Sequence, residues 1–268
     1  MFTSPKGGVG KTTLSAHVAA ILAKRGHQVV ALDLDPQNAM RLHFGLPIAY
    51  EAGFMAQLGL GSDWRAALVG TASGVDLLPF GDAEPVKIMR LNTALLANPE
   101  LLTNPVRDIL KDPRTVLVVD SPPGPSAAVA ALAGMADLIV MVLLADAGSA
   151  CLIPQVLSGR VFGRGTIGSR LAKRAAVVVN QVDLEGALAS AVLDSVSRVL
   201  GPRLLGAVCW DERLAEDLAH SRLRTAGQDG AGRDLAILAD AIETRLPPPH
   251  APELGAQPFT ALAEWGLV

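Results

Sequence analysis

The chain has 268 residues, half of them hydrophobic, and that length suits one large α/β sheet rather than several domains. A formal net charge of −3 and a pI near 5.9 give no general attraction for nucleic acid or anionic lipid. Cys151 and Cys209 are too few and too far apart for a disulfide framework or a metal knuckle and fit a reducing cytoplasm, and the amino terminus lacks the basic-then-apolar signal pattern.

In chain order, only Met1, Phe2 and Thr3 precede the first loop, where about five or six residues usually span a sheet. Either the start is late or the first strand is truncated. Lys6-Gly7-Gly8-Val9-Gly10-Lys11-Thr12-Thr13 then reads as a phosphate cradle. Its glycines let backbone N–H groups converge on an anion with no Cβ in the way. Lys11 is placed to reach β- and γ-phosphates, and the Thr12 hydroxyl to ligate Mg²⁺. The helix expected over Thr12–Lys24 adds its amino-terminal dipole. The bland alternative, a ligand-free strand-to-helix turn, does not account for Lys-Thr-Thr following the glycines. The usual pattern has a glycine five residues before Gly10. Pro5 stands there, and a second lysine, Lys6, heads the loop.

A strand is expected over Gln28–Asp33. Alternation points Asp33 and Asp35 to one side, and Pro36 ends the run. These acids serve a nucleotide or merely sit in a solvated turn. Further strands are expected over Val75–Pro79, Thr115–Asp120, Asp137–Leu143, Ala175–Asn180 and Leu204–Cys209. Helices are expected over Pro85–Ala97, Leu101–Lys111, Gly186–Leu200, Asp211–Ser221 and Gly232–Arg245. This alternation predicts an α/β fold, a single doubly wound, mostly parallel sheet flanked by helices, with polar groups gathered at the carboxyl edge.

Three segments need a decision. Ala127–Gly148 carries only Asp137 and Asp146, yet Gly134 and Asp137 break it into a helix and a buried strand, so no membrane span is expected. The stretch from Arg160 to Arg174 holds Arg160, Arg164, Arg170, Lys173 and Arg174 without an acid; it is a solvated surface or a patch for an acidic partner or DNA. After Arg245 a proline-rich linker leads to Phe259, Leu262, Trp265 and Leu267, expected to dock on protein with Trp265 as main anchor. The division expected is 1–245 as the nucleotide-binding domain and 246–268 as linker and apolar tail.

The loop headed by Lys6 resembles the deviant Walker A motif of the MinD/ParA family of dimerising P-loop ATPases. The resemblance implies ATP/ADP and Mg²⁺ as ligands and an ATP-sandwich homodimer in which Lys6 reaches the partner's phosphates. It implies that Asp35 orients the attacking water, that Asp33 lies near Mg²⁺ and its waters, and that Asp120 closes a Walker B strand and holds Mg²⁺ through water. Pro122, Pro123 and Gly124 resemble the turn that senses the γ-phosphate. Asn180 matches a base-binding position, since an amide pairs with both edges of adenine; its bland reading is a turn residue capping a strand. Trp210 stands where the family has a proline in the base loop, with Asp211 after it.

Within that family, Asp35-Pro36-Gln37-Asn38-Ala39, Arg41-Leu42-His43-Phe44-Gly45-Leu46-Pro47, Asp63-Trp64-Arg65 and Gly74-Val75-Asp76-Leu77-Leu78-Pro79-Phe80-Gly81 resemble the cellulose-biosynthesis branch, BcsQ. That branch implies a slow, dimer-dependent ATPase in the cytoplasm, recruited to the inner membrane through other cellulose synthase or secretion subunits. Without a basic tail helix, direct membrane insertion is not expected, and an acidic chain makes DNA an unexpected partner. Two alternatives stay open: a partition ATPase that binds DNA non-specifically, and a nucleotide-locked scaffold with little turnover.

Overall fold

In the computed structural model, described over residues 1–58, 63–162, 166–225, 227 and 230–247, the branched apolar runs form one sheet. Its strands are β1 (Phe2–Thr3), β2 (Gln28–Asp33), β3 (Val69–Gly70), β4 (Val75–Leu78), β5 (Thr115–Asp120), β6 (Ile139–Leu144), β7 (Ala175–Val182) and β8 (Leu204–Cys209). Their order is β3-β4-β2-β5-β1-β6-β7-β8. All neighbouring pairs are parallel except β3 with β4. A two-residue strand carries no alternation to read, and β3 is accordingly absent from the sequence expectations.

Period-two alternation distributes the core. In β2, Val29 and Ala31 face one helical layer while Val30 and Leu32 face the other; in β6, Val140 and Val142 oppose Met141 and Leu143 in the same way. One layer holds α1 (Lys11–Lys24) and the helix Gly230–Glu243, whose Leu235, Leu238 and Ile242 share a cluster with Leu14, Val18 and Ile21. On the opposite face, Glu100–Ile109 and Ala127–Leu132 cover one half of the sheet. Ala187–Leu200 covers the other with Ala189, Val192, Val196 and Leu200, spaced for one helical stripe. Each such side chain contributes roughly 1.5–3 kcal/mol when fully buried. α1 stops where Gly26 takes φ 95°: Gly26 N–H bonds Ala23 O and His27 N–H bonds Leu22 O, a Schellman closure.

Ala127–Gly148 divides as expected, with Ser126 accepting from Val129 N–H to cap the helix before β6 begins. No helix among the described residues is long and apolar enough to cross a membrane. The basic stretch is less uniform than a solvated face. It contains the helix Thr166–Ala172, Leu171 is buried, and Arg174 donates to Gly134 O and Ala136 O. Arg160, Arg170, Lys173 and Arg174 remain exposed. Arg164 and the tail with its expected anchor Trp265 lie outside the described residues.

Candidate functional site

The chain leaves β1 toward β2 on one side and β6 toward β7 on the other, so the carboxyl ends of the central strands open into a switch-point crevice. The loop between Thr3 and α1 lies there. Ser4 Oγ donates to Lys6 O at 2.6 Å, and Ser4 O accepts from Gly124 N–H at 2.8 Å, tying the loop to the turn after β5. Gly7, Gly8, Val9 and Gly10 carry the loop into α1, with Gly8 at φ 74° and Gly10 at φ 81°. A Cβ on Gly10 would stand 2.2 Å from Asn180 Nδ2, so glycine is required by conformation and by space. Asn180 lies two residues before the end of β7, and its Nδ2 donates to Val9 O at 2.8 Å. The candidate base reader therefore braces the cradle from behind.

Sheet register brings the acids together. Asp33 and Asp120 are cross-strand partners at the ends of β2 and β5, both fully buried. Lys11 Nζ lies 3.1 Å from Asp120 Oδ1 and 3.8 Å from Asp35 Oδ2, and Thr12 Oγ1 donates to Asp120 Oδ2 at 2.6 Å. The backbone carbonyl of Thr13, a partly buried residue, lies 2.7 Å from His17 Nδ1. Asp33 spends both oxygens on backbone: Oδ1 accepts from Asp35 N–H and Oδ2 from Met40 N–H. Burial, then the neighbouring Asp120, pushes the Asp33 carboxyl well above its ordinary range. Burial also raises Asp120, while Lys11 and the Thr12 hydroxyl pull it back. Asp35 Oδ1 accepts from Gln37 N–H, holding a tight turn in which Asn38 takes φ 50°.

Other candidates stand apart. Lys6 folds onto its own chain, Nζ 3.7 Å from Asp146 Oδ1, both half-exposed. Trp210 is 59 % exposed beyond the end of β8. Asp211 caps the helix Glu212–Ala219 and grips Arg213 through both oxygens, which holds its carboxyl at about 2. Sequence reasoning missed Asp146 as the partner of Lys6, since nothing in spacing relates residues 140 apart. It also missed Gln181, a non-glycine residue at φ 56° where the register of β7 against β8 shifts, directly beside Asn180. A strand ending in Asn-Gln carries no visible mark of that bulge.

Among the described residues no three His, Cys, Asp or Glu side chains form a metal cage. That suits Mg²⁺, which takes one or two protein oxygens and completes its shell with phosphates and water. Thr12 and Asp120 supply two adjacent oxygen ligands beside a glycine-rich loop, so the residues present fit a magnesium nucleotide.

A model of the cellulose biosynthesis protein BcsQ family matches residues 2–241. The cellulose biosynthesis protein BcsQ of Salmonella typhi is 40% identical over 76 residues, 28% of this chain and 30% of that protein, so the matched stretch spans less than a third of that relative's length. The chromosome-partitioning ATPase Soj of Thermus thermophilus is 36% identical over 119 residues, 44% of this chain and 43% of that one. A chain of the MinC:MinD cell division protein complex of Aquifex aeolicus superposes with a TM-score of 0.71 at 22% identity, over 92% of this chain and 96% of that one, which shows a shared fold.

Proposed function

The chain belongs to the cellulose biosynthesis protein BcsQ family, and from that premise we propose an ATP-dependent dimerisation switch that hydrolyses ATP slowly and regulates or assembles a bacterial cellulose synthase or secretion complex. The observation that carries the reading is the Lys11–Asp120–Thr12 constellation beneath a glycine-rich loop. Lys11 exchanges Asp120 for β- and γ-phosphate oxygens, a charge-assisted contact in a water-poor cradle. Thr12 directly and Asp120 through water would hold Mg²⁺, which when bound would supply positive charge beside the phosphates.

Asp35 is the acid placed to orient an attacking water, because its Oδ1 is held by Gln37 N–H while its Oδ2 is turned toward the Lys11 ammonium in the cradle. Asp33, with both oxygens on backbone, supports the Asp35 turn and acts near the ion only through that support. Lys6 leaves Asp146 to reach a second copy's phosphates across a homodimer. Asn180 and Trp210 flank the base, and Asp211 shapes the Trp210 loop through its helix cap. Turnover is slow because the water is oriented only once the dimer closes. Other synthase or secretion subunits recruit the protein to the inner membrane from the cytoplasm.

The Soj relative and the four exposed basic residues between Arg160 and Arg174 favour a second reading, non-specific DNA binding. ATP titration followed by phosphate release tests the first. We expect Mg²⁺-dependent ATP binding, slow phosphate release, and no ATP-dependent shift of unrelated duplex DNA at physiological salt. Failure to bind ATP contradicts the proposal, and a clear DNA shift transfers it to the partition reading.

A further inference from the structure

Among the described residues, the buried polar side-chain atoms that make no hydrogen bond all belong to three stretches of chain. They are His17 Nε2 on α1, then Asn38 Oδ1, Arg41 Nε and His43 Nδ1 shortly after Asp35, then Asp217 Oδ2 and Arg224 Nε. The last two face each other as an ion pair, which leaves the orphans at His17 and in the stretch from Asn38 to His43. Buried polar groups are nearly always partnered, so a cluster of exceptions calls for a cause. His17 and His43 stand at its centre. Both are almost fully buried, and their rings meet edge-on with centroids 6.0 Å apart.

Chemistry fixes the proton on His17. A carbonyl only accepts, so the 2.7 Å contact between Thr13 O and His17 Nδ1 puts the hydrogen on that nitrogen and leaves Nε2 a bare acceptor. Arg224, the cation that acts on His17, is taken up by Asp217. The ring in contact with His17 is His43, whose Nδ1 is likewise buried without a partner. Burial lowers both histidines, so both rings are neutral at pH 7. Imidazoles joined by an N–H···N bond have centroids roughly 5 Å apart, so an approach of about 1 Å lets His43 Nδ1–H satisfy both orphans at once.

His43 closes the short helix Met40–His43, and that segment is tied to the acids of the crevice. Met40 N–H bonds Asp33 Oδ2, and Asn38 N–H bonds Asp35 O at 2.8 Å. His17 sits one turn beyond Thr13 on the helix that the cradle opens. In the structure the Asp35 turn is held to α1 by charge, with Lys11 Nζ 3.8 Å from Asp35 Oδ2. Once Lys11 turns to phosphate, that ion pair is given up and the turn needs another tie to α1. Given the ATP hydrolysis proposed above, on which this rests, we propose that His43 and His17 are positioning residues for it. His43 Nδ1–H donates to His17 Nε2 as Lys11 leaves Asp35, and the new bond holds the Asp35 turn against α1.

The test compares three variants of the full chain. His43→Asn keeps an amide donor at the Nδ1 position, His43→Gln moves it to the Nε2 position, and His43→Leu has none. Phosphate release at saturating ATP should fall about tenfold in the Gln and Leu forms, with ATP affinity unchanged, and the Asn form should restore most of the native rate. Adding His43→Leu to His17→Leu should lower release no further, because the bond is already lost. Histidines that only fill the core would shift urea midpoints and leave release at saturating ATP alone. If the Leu form does not fold, the Asn and Gln forms carry the comparison by themselves. Equal release from the Asn and Gln forms, a loss of ATP affinity that matches the loss of rate, or additive losses in the double variant overturns this inference and leaves the ATPase reading standing. A native chain that releases no phosphate overturns both.

Discussion

At the carboxyl edge of the sheet, β2 and β5 end side by side on Asp33 and Asp120, and these buried acids meet backbone N–H groups, Lys11 and the Thr12 hydroxyl. At the amino edge the same two strands begin at Gln28 and Thr115 beside a mostly apolar cavity, with His27, Arg114, Asp137 and Glu243 also in its lining, next to the buried Met1 amine. One register produces both. A slip of one residue would set Asp120 against Leu32 or Leu34, dispersing the charges and turning every side chain to the wrong layer. The edges differ in what holds them: paired charge at one, apolar area at the other.

Removing charge at the first edge should have the largest effect. Lys11→Ala leaves Asp120 and Asp35 facing each other without a cation, and stability should fall by about 3–5 kcal/mol at pH 7 in urea unfolding. ATP binding should vanish with it. Because burial already raises the Asp120 carboxyl, the loss should shrink at pH 5, where protonation relieves the unpaired charge. An equal loss at both pH values would mean that packing, not charge, sustains this edge.

At the second edge, Leu22→Ala sits against the cavity and should cost near the low end of the roughly 2–5 kcal/mol typical of such truncations. Leu77→Ala in β4, buried away from it, should fall near the top. Equal costs would show that the amino edge is as tightly packed as the centre.

Beneath the cradle, His17 and His43 stack edge-on at 6.0 Å. Burial lowers His17, with Asp217 and Arg224 pulling on it in opposite directions. Burial, then His17, lowers His43 to about 3. The unfolded chain takes up these protons below about 6.5 and the folded chain resists, so the unfolded state binds more protons and stability falls as pH drops below 6.5. The urea midpoint should decline from pH 7 to pH 5, and His17→Gln with His43→Gln should flatten that decline. Asp33 works with the opposite sign, since its raised carboxyl holds a proton in the folded state. An unchanged slope in the double variant removes the histidines from the account.

Trp210→Ala should change stability least, within about 0.5 kcal/mol, because the ring is mostly exposed. It should nevertheless weaken adenine nucleotides by about 1–3 kcal/mol if the ring stacks on the base, read by calorimetry against a nucleotide-free melt.

The long strands were legible because their cause is local. β2, β5 and β8 keep the bounds that their apolar runs predict, and β2 and β5 close on Asp33 and Asp120. The glycine loop was legible because its glycines and lysines are contiguous. What escaped depends on distant chain segments meeting. Two-residue β3 exists only as the antiparallel neighbour of β4, and β7 runs two residues past Asn180 through a bulge at Gln181. The backbone contacts of Asp33, which accepts from Asp35 N–H and Met40 N–H, were likewise unmarked in the sequence. The tether of Lys6 to Asp146, across the sheet from β1 to β6, follows from strand order alone.

The central claim is that ATP drives two copies together through Lys6. Molecular mass in solution, measured by light scattering with ATP, with ADP and without nucleotide, tests it for the native chain and for Lys6→Ala. The account predicts a mass that doubles with ATP alone in the native chain, and a Lys6→Ala protein that binds ATP yet stays a monomer. A mass indifferent to nucleotide, or a Lys6→Ala protein that dimerises as the native chain does, would contradict it.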